Sequence, residues 1–165
     1  MLIFGHTGIA TGAVHAIDRR ADLRWVPLAA LLPDLVDKPL WLLAPGFTNG
    51  WTRNAAHSLT GLAVFTLFVA WTLREKAWPL ILAYASHLVL DQMWLEGHIL
   101  VWPLGGFIFP QFTRDHVELW WEKFSDLWTM GGEAVGGAIL IGLTVRGRLW
   151  DPERRRSFRA TGRLA

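Results

Sequence analysis

NAAHSLTGLAVFTLFVAWTL, from Asn54 to Leu73, is the stretch on which the fold turns. Its 20 residues include no Asp, Glu, Lys or Arg. About 20 apolar residues, each rising 1.5 Å as helix, cross the hydrocarbon core of a bilayer. Working outward, Trp78 to Glu96 is apolar up to its end apart from Ser86, His87, Asp91 and Gln92. Leu127 to Val145 has Glu133 as its only charge and several small residues suited to close helix packing. Upstream, Trp25 to Leu43 carries Asp34, Asp37 and Lys38, with Pro27 and Pro33 predicting a kink. Ile3 to Ile17 is a fifth segment, short for a span and expected to be tilted or half-inserted. The pattern predicts an all-α integral membrane bundle of about five segments over residues 1–148. Residues 149–165 read as a basic cytoplasmic tail without structure. Between Gly97 and Asp126 runs a long outer connection. Its apolar part, Ile99 to Pro110, is broken by Pro103, Gly105, Gly106 and Pro110. A loop dipping into the interface, or a lid over the outer face, fits that composition.

Composition agrees with a bilayer environment. Of 165 residues, 52% are hydrophobic and 18% charged, against about 25% charged in soluble domains. Eleven Trp against one Tyr favours membrane–water boundaries. Cysteine is absent. Any transition metal must therefore use imidazole, carboxylate or water. The net charge is only +2, yet seven arginines from Arg146 to Arg163 crowd the last 20 residues. A basic tail beside an apolar segment reads as a cytoplasmic anchor. No folded reading surface accompanies it, so nucleic acid is not an expected partner.

Charge also sets the expected orientation in a cell (inner) membrane. Arg19, Arg20 and Arg24 follow the first segment, Arg74 and Lys76 follow the third, and the arginine-rich tail follows the fifth. With alternating spans these fall on one side, leaving Arg53, Arg114 and Lys123 on the other. The positive-inside rule then puts the N-terminus outside and the C-terminus in the cytoplasm. Trp25, Trp71, Trp78 and Trp150 fall near the inner boundary. Trp41, Trp51, Trp94, Trp102, Trp120, Trp121 and Trp128 fall near the outer one.

Counting helical rise from the inner boundary places His6, Asp37, His57, Asp91 and Glu133 about 18–21 Å up, and Asp34 and His87 about 14 Å up. All seven lie between mid-bilayer and the outer surface. An isolated charge at such depth costs at least about 2.5–3.5 kcal/mol. Convergence on one another and on a divalent cation is the cheapest remedy. His87 and Asp91 stand four apart on one helical face, and Asp34 and Asp37 three apart. His15 lies at the inner end, out of phase with His6. His98 and His116 fall in the outer connection and read as surface histidines.

At these residues the chain resembles the bacterial membrane-bound metal-dependent hydrolases, the LexA-binding, inner-membrane-associated group. The motifs are Phe4-Gly5-His6-Thr7-Gly8, Leu32-Pro33-Asp34-Leu35-Val36-Asp37, Thr52-Arg53-Asn54-Ala55-Ala56-His57-Ser58, and Ser86-His87-Leu88-Val89-Leu90-Asp91 followed by Gly97 and Trp102-Pro103. The chain departs from the third motif at two positions. Thr52 stands for its first His and Ala56 for its Thr, which removes one potential ligand. The resemblance implies metal-dependent hydrolysis and leaves the substrate open.

The expectation is thus a hydrolase of an ester or phosphoester. His6, Asp34, His57, His87 and Asp91 hold a divalent metal, zinc first and manganese second. Asp37 is the expected general base, and Arg53 steadies phosphate or developing negative charge. A site in the outer half of the bilayer suits an amphipathic substrate, a lipid or lipid-linked phosphate. The same residues are also compatible with metal or ion transport, or metal binding without hydrolysis. The lack of comparable groups in the inner half argues against a through-route. A third reading makes the polar cluster a pin between helices.

Overall fold

The computed structural model describes residues 2–164. Met1 and Ala165, at the edges of the two predicted domains, and the side chain of Trp120 lie outside the described residues. The chain forms α1 (Ile3–Ile17), α2 (Val26–Leu43), α3 (Pro45–Thr48), α4 (Leu59–Leu73), α5 (Trp78–Leu90), α6 (Gly97–Leu100), α7 (His116–Ser125), α8 (Leu127–Arg146) and α9 (Pro152–Thr161). Short 3₁₀ turns at Ala55–His57, Arg74–Lys76 and Met93–Leu95 link them. No strand occurs among the described residues.

Local chemistry sets the boundaries. Side chains of Ser58, Asp115, Asp126 and Asp151 accept backbone N–H groups in the first turns of α4, α7, α8 and α9. Pro at the opening of α2, α5 and α9 costs no hydrogen bond there. Gln92, at φ 54°, takes the left-handed conformation that follows the end of α5. Pro33 and Pro39 lie inside α2.

The helices pack through small residues. Ala10 and Val14 of α1, Ala29 and Ala30 of α2 and Ala83 of α5 form one buried cluster. Tyr84, Leu88, Met93, Ile99 and Phe109 form a second, nearer the site. α1 and α8 run parallel, because Gly5 meets Glu133 while Gly12 meets Ile139. Their backbones touch at the crossing. A Cβ at Gly8 would run into the Gly136 carbonyl, and one at Gly136 into the Phe4 carbonyl.

Three expectations change. First, α8 is the one helix among the described residues long and apolar enough to cross a membrane by length and composition. α1, α4 and α5 have 15, 15 and 13 residues, and α2 carries three charges along its 18. The stretch from Asn54 loses its first turn because Ser58 caps the helix and the 3₁₀ turn before it points its N–H groups elsewhere. Second, the outer connection is more than a loop. It contains α6 and α7, and it buries Phe109 against Trp102 and Phe47. Third, the tail is ordered. α9 is capped by Asp151 and folds back on the α1–α2 loop. Arg24 donates to the carbonyls of Arg159 (2.8 Å) and Ala160 (3.1 Å), and Leu23 N–H to the carbonyl of Gly162 (2.9 Å). Phe158 and Leu164 pack on the first core cluster, so 149–164 is continuous with the bundle.

Candidate metal centre

The alternating helix directions bring to one end the start of α1, the second half of α2, the approach to α4 and the close of α5. His6, His57 and His87 are fully buried there, and Asp91 nearly so. The imidazole of His6 stacks on that of His87 with centroids 3.9 Å apart. Asp91 Oδ1 lies 3.1 Å from His6 Nε2, and Oδ2 lies 2.8 Å from Arg53 Nη2. Asp34 Oδ1 lies 3.7 Å from His57 Nε2, and Oδ2 accepts from Lys38 Nζ at 2.8 Å.

Asp37 sits one layer back. Its carboxylate accepts N–H groups from Asn54 (2.6 Å), Ala56 (3.1 Å) and His57 (3.1 Å), and Nδ1–H of His57 (2.7 Å). The residue expected as general base thus has both oxygens engaged and stands behind His57, away from the opening. Charge-assisted bonds of this kind are the stronger ones. They explain why residues 54–57 leave the helix: the turn is shaped around one carboxylate. Tyr84 donates its hydroxyl to the Ala56 carbonyl at 2.5 Å and braces the same turn. Gly61 lies beneath it, where a Cβ would meet the Ala55 carbonyl.

The tautomers follow from these partners. A carboxylate and a carbonyl only accept, so His57 Nδ1 donates to Asp37, and His87 Nδ1 donates to the Ala30 carbonyl at 2.7 Å. In neutral rings both Nε2 atoms then carry lone pairs, yet they face each other at 3.1 Å. Two acceptors at that separation repel unless a proton or cation lies between them. Donors about 2.0–2.2 Å from a shared ion sit at roughly this spacing. Asp91 Oδ2 is 3.9 Å from His57 Nε2 and 4.0 Å from His87 Nε2. Both ring nitrogens of His6 are shielded from solvent, and Asp91 Oδ1, 3.1 Å from Nε2, is the carboxylate oxygen beside them. The donor set, imidazole nitrogen with carboxylate oxygen, fits a divalent transition ion. Two triads have ligand spacing, His6–His87–Asp91 and Asp34–His57–His87. His87 offers both only Nε2, its Nδ1 being taken, so they describe one centre.

Beside the centre lies a cavity of about 530 Å³, lined by Asp34, Asp91, Lys38, Arg53 and Lys123, with an apolar wall that includes Phe4, Trp41 and Leu42. Lys123 comes from α7. Burial, with Arg53 nearby, pushes its ammonium below the usual lysine range. No ion pair of Lys123 occurs among the described residues. Glu133 touches the cavity, but its carboxylate accepts the N–H groups of Leu2 (2.9 Å), Phe4 (2.9 Å) and Gly5 (2.8 Å) at the opening of α1. His15 lies at the far end of α1, His98 packs edge-on to Trp51, and His116 packs on Trp41 and Phe112.

Sequence reading missed Tyr84, Lys123 and the Ala30 carbonyl. Tyr84 left a signal, as the lone tyrosine three residues before His87. Lys123 left none, since its place depends on how α7 folds over.

Fold and site together define an all-helical protein with a buried histidine–aspartate cluster at one end of its bundle. The chain belongs to the YdjM inner membrane protein family, whose sequence model matches residues 1–159. That family supports membrane association of this chain. Neither the curated proteins nor the solved structures searched contain a match.

Proposed function

We propose that this chain is a membrane-embedded metal-dependent hydrolase acting on an ester or phosphoester of an amphipathic lipid or lipid-linked substrate. One observation carries the reading: the Nε2 atoms of His57 and His87, each with its Nδ1 tied to an acceptor, face each other at 3.1 Å beside two carboxylates. His57, His87 and Asp91 would hold the ion, with His6 completing the set and Asp34, beside His57 Nε2, left for the proton. Zinc is the first choice and manganese the second. When bound, such an ion supplies Lewis acidity toward an ester or phosphoryl oxygen and toward water.

The chain's own residues do the rest. Asp37 keeps His57 in one tautomer and orientation, a positioning role. Arg53, Lys38 and Lys123 surround the polar end of the cavity and match an anionic head group. Phe4, Trp41 and Leu42 match an apolar chain. Asp34, its side chain 17% exposed, is the carboxylate placed to exchange a proton with water. Water adds across the ester bond: its oxygen bonds to the acyl carbon or phosphorus, and one proton passes to Asp34 and then to the departing alcohol.

In this reading α1, α2, α4, α5 and α8 lie in the inner membrane as five segments, N-terminus outside and C-terminus cytoplasmic. Large apolar side chains exposed on their outer faces support it, among them Leu42 (69%), Leu67 (71%), Trp71 (80%) and Ile141 (67%). The short helices leave the polar centre close under the non-cytoplasmic surface.

The test uses full-length protein in detergent, loaded with zinc or manganese and offered bis(p-nitrophenyl) phosphate and phospholipids. Turnover by wild type, lost in His87→Ala, is the expected result. Lys123→Gln should raise KM with kcat unchanged. Metal-replete wild type that turns over none of these, or carries metal across proteoliposomes without hydrolysis, refutes it.

A further inference from the structure

The opposite end of the bundle holds a larger cavity that plays no part in the centre just described. Its volume is about 760 Å³, between the last turns of α1 and α8. Arg19, Arg146 and His15 line it, with Gly12, Gly142 and Leu143. Among the described residues, no Asp or Glu lines it. Both arginines are exposed, and neither guanidinium makes an ion pair among the described residues. Nδ1 of His15 is shielded from solvent and has no hydrogen-bond partner among the described residues. Two guanidinium groups without an ion pair among the described residues therefore meet, with His15 beside them, where acids are missing. The space exists because of small residues: a Cβ at Gly142 would meet nothing within 4 Å. Beside the arginines, Ile139, Leu143 and Leu164 give the cavity an apolar wall. Leu164, delivered by the return of α9, closes the other side.

We infer that this cavity is a binding site for an anionic phospholipid, with the head-group phosphate between Arg19 and Arg146 and the acyl chains along α1 and α8. Basic pockets between membrane helices take anionic head groups for the same electrostatic reason. The commitment to lipid over a soluble anion rests on the apolar wall of Ile139, Leu143 and Leu164 and on the family's membrane setting. The site is independent of the metal centre, so loss of one leaves the other intact.

The experiment is native mass spectrometry of the full-length protein released from detergent micelles. The probes are phosphatidylglycerol and phosphatidylcholine of matched chains, with inorganic phosphate as a separate arm. Wild type should retain phosphatidylglycerol in preference to phosphatidylcholine. Each of Arg19→Gln and Arg146→Gln should weaken retention about fivefold, and both together about 25-fold. Gly142→Leu adds bulk at the cavity wall, at a position where a Cβ meets nothing within 4 Å, and should also reduce retention while helicity and metal content stay at wild-type levels. Arg154→Gln/Arg155→Gln, which removes two charges outside the cavity, should leave retention unchanged. Equal retention of the two lipids, equal loss in the Arg154/Arg155 variant, or displacement of the lipid by millimolar inorganic phosphate would overturn the assignment.

Discussion

Replacing Asp37 by Asn tests the architecture most sharply, because the change is one atom in a fully buried side chain. Oδ2 accepts three donors, Asn54 N–H, His57 N–H and His57 Nδ1–H, while Oδ1 accepts Ala56 N–H. An asparagine keeps its carbonyl oxygen on the three-donor side and turns its amide toward the N–H of Ala56. Three charge-assisted bonds become neutral ones, each losing about 1 kcal/mol. The stranded Ala56 N–H adds about 1–3 kcal/mol. The sum is about 4–6 kcal/mol before relaxation, a fall of about 10–20 °C in thermal midpoint for a chain of this size. The released imidazole of His57 should weaken zinc binding about 10–100-fold, as loss of an outer carboxylate does elsewhere. The assay is thermal unfolding in detergent, followed by competition for zinc with a colorimetric chelator. An Asp37→Asn protein that melts within about 2 °C of wild type and binds zinc equally well would show that the carboxylate neither shapes the turn nor holds the ring.

Asp91→Asn removes an oxygen from the centre and the partner of Arg53, and should lower metal content from about one ion per chain toward none by elemental analysis, with membrane insertion retained. Glu133→Gln should behave in the opposite way: α1 loses a charged cap on three N–H groups at a cost of about 1–3 kcal/mol in unfolding free energy, while metal content holds. Gly61→Ala pushes the 55–57 turn off α4 and should lower metal affinity without removing a ligand, read by the same chelator competition. Asp126, whose carboxyl is held below its ordinary range by the Thr129 hydroxyl and the first-turn N–H groups of α8, gives a pH signature. A depressed folded-state value means stability that is present above the unfolded carboxyl pKa of about 3.9 and is lost as pH falls through the folded one. Asp126→Ala should cost about 1 kcal/mol at neutral pH and flatten that acid limb in a pH series of unfolding midpoints.

α1 and α8 could be read from sequence to within a residue, because a largely apolar run marks each, with Asp126 capping α8. The start of α4 could not, since its first turn is diverted by Asp37, a residue 17 positions from Asn54. Spacing put Asp34 and Asp37 on one face and so grouped them. It could not separate their duties, because the three N–H groups that occupy Asp37 arrive from another segment. His6, His57, His87 and Asp91 were grouped by similar depth, by the four-residue spacing of His87 and Asp91, and by the motifs that carry the resemblance. α7 and Lys123 were hidden in a connection rich in Pro and Gly, and α9 in a run of arginines whose charge outweighed its Asp151 cap.

The parallel contact between the first and last long helices has a consequence for biosynthesis. The opening turn of α1 emerges from the ribosome first, yet the carboxylate that satisfies its N–H groups belongs to residue 133. Until that side chain is delivered, three amide hydrogens beside His6 have no home in an apolar setting. The end of the molecule that bears the histidines is therefore closed only after residue 133 has been made, and a nascent chain stalled before Glu133 should remain open there to proteases and chelators alike.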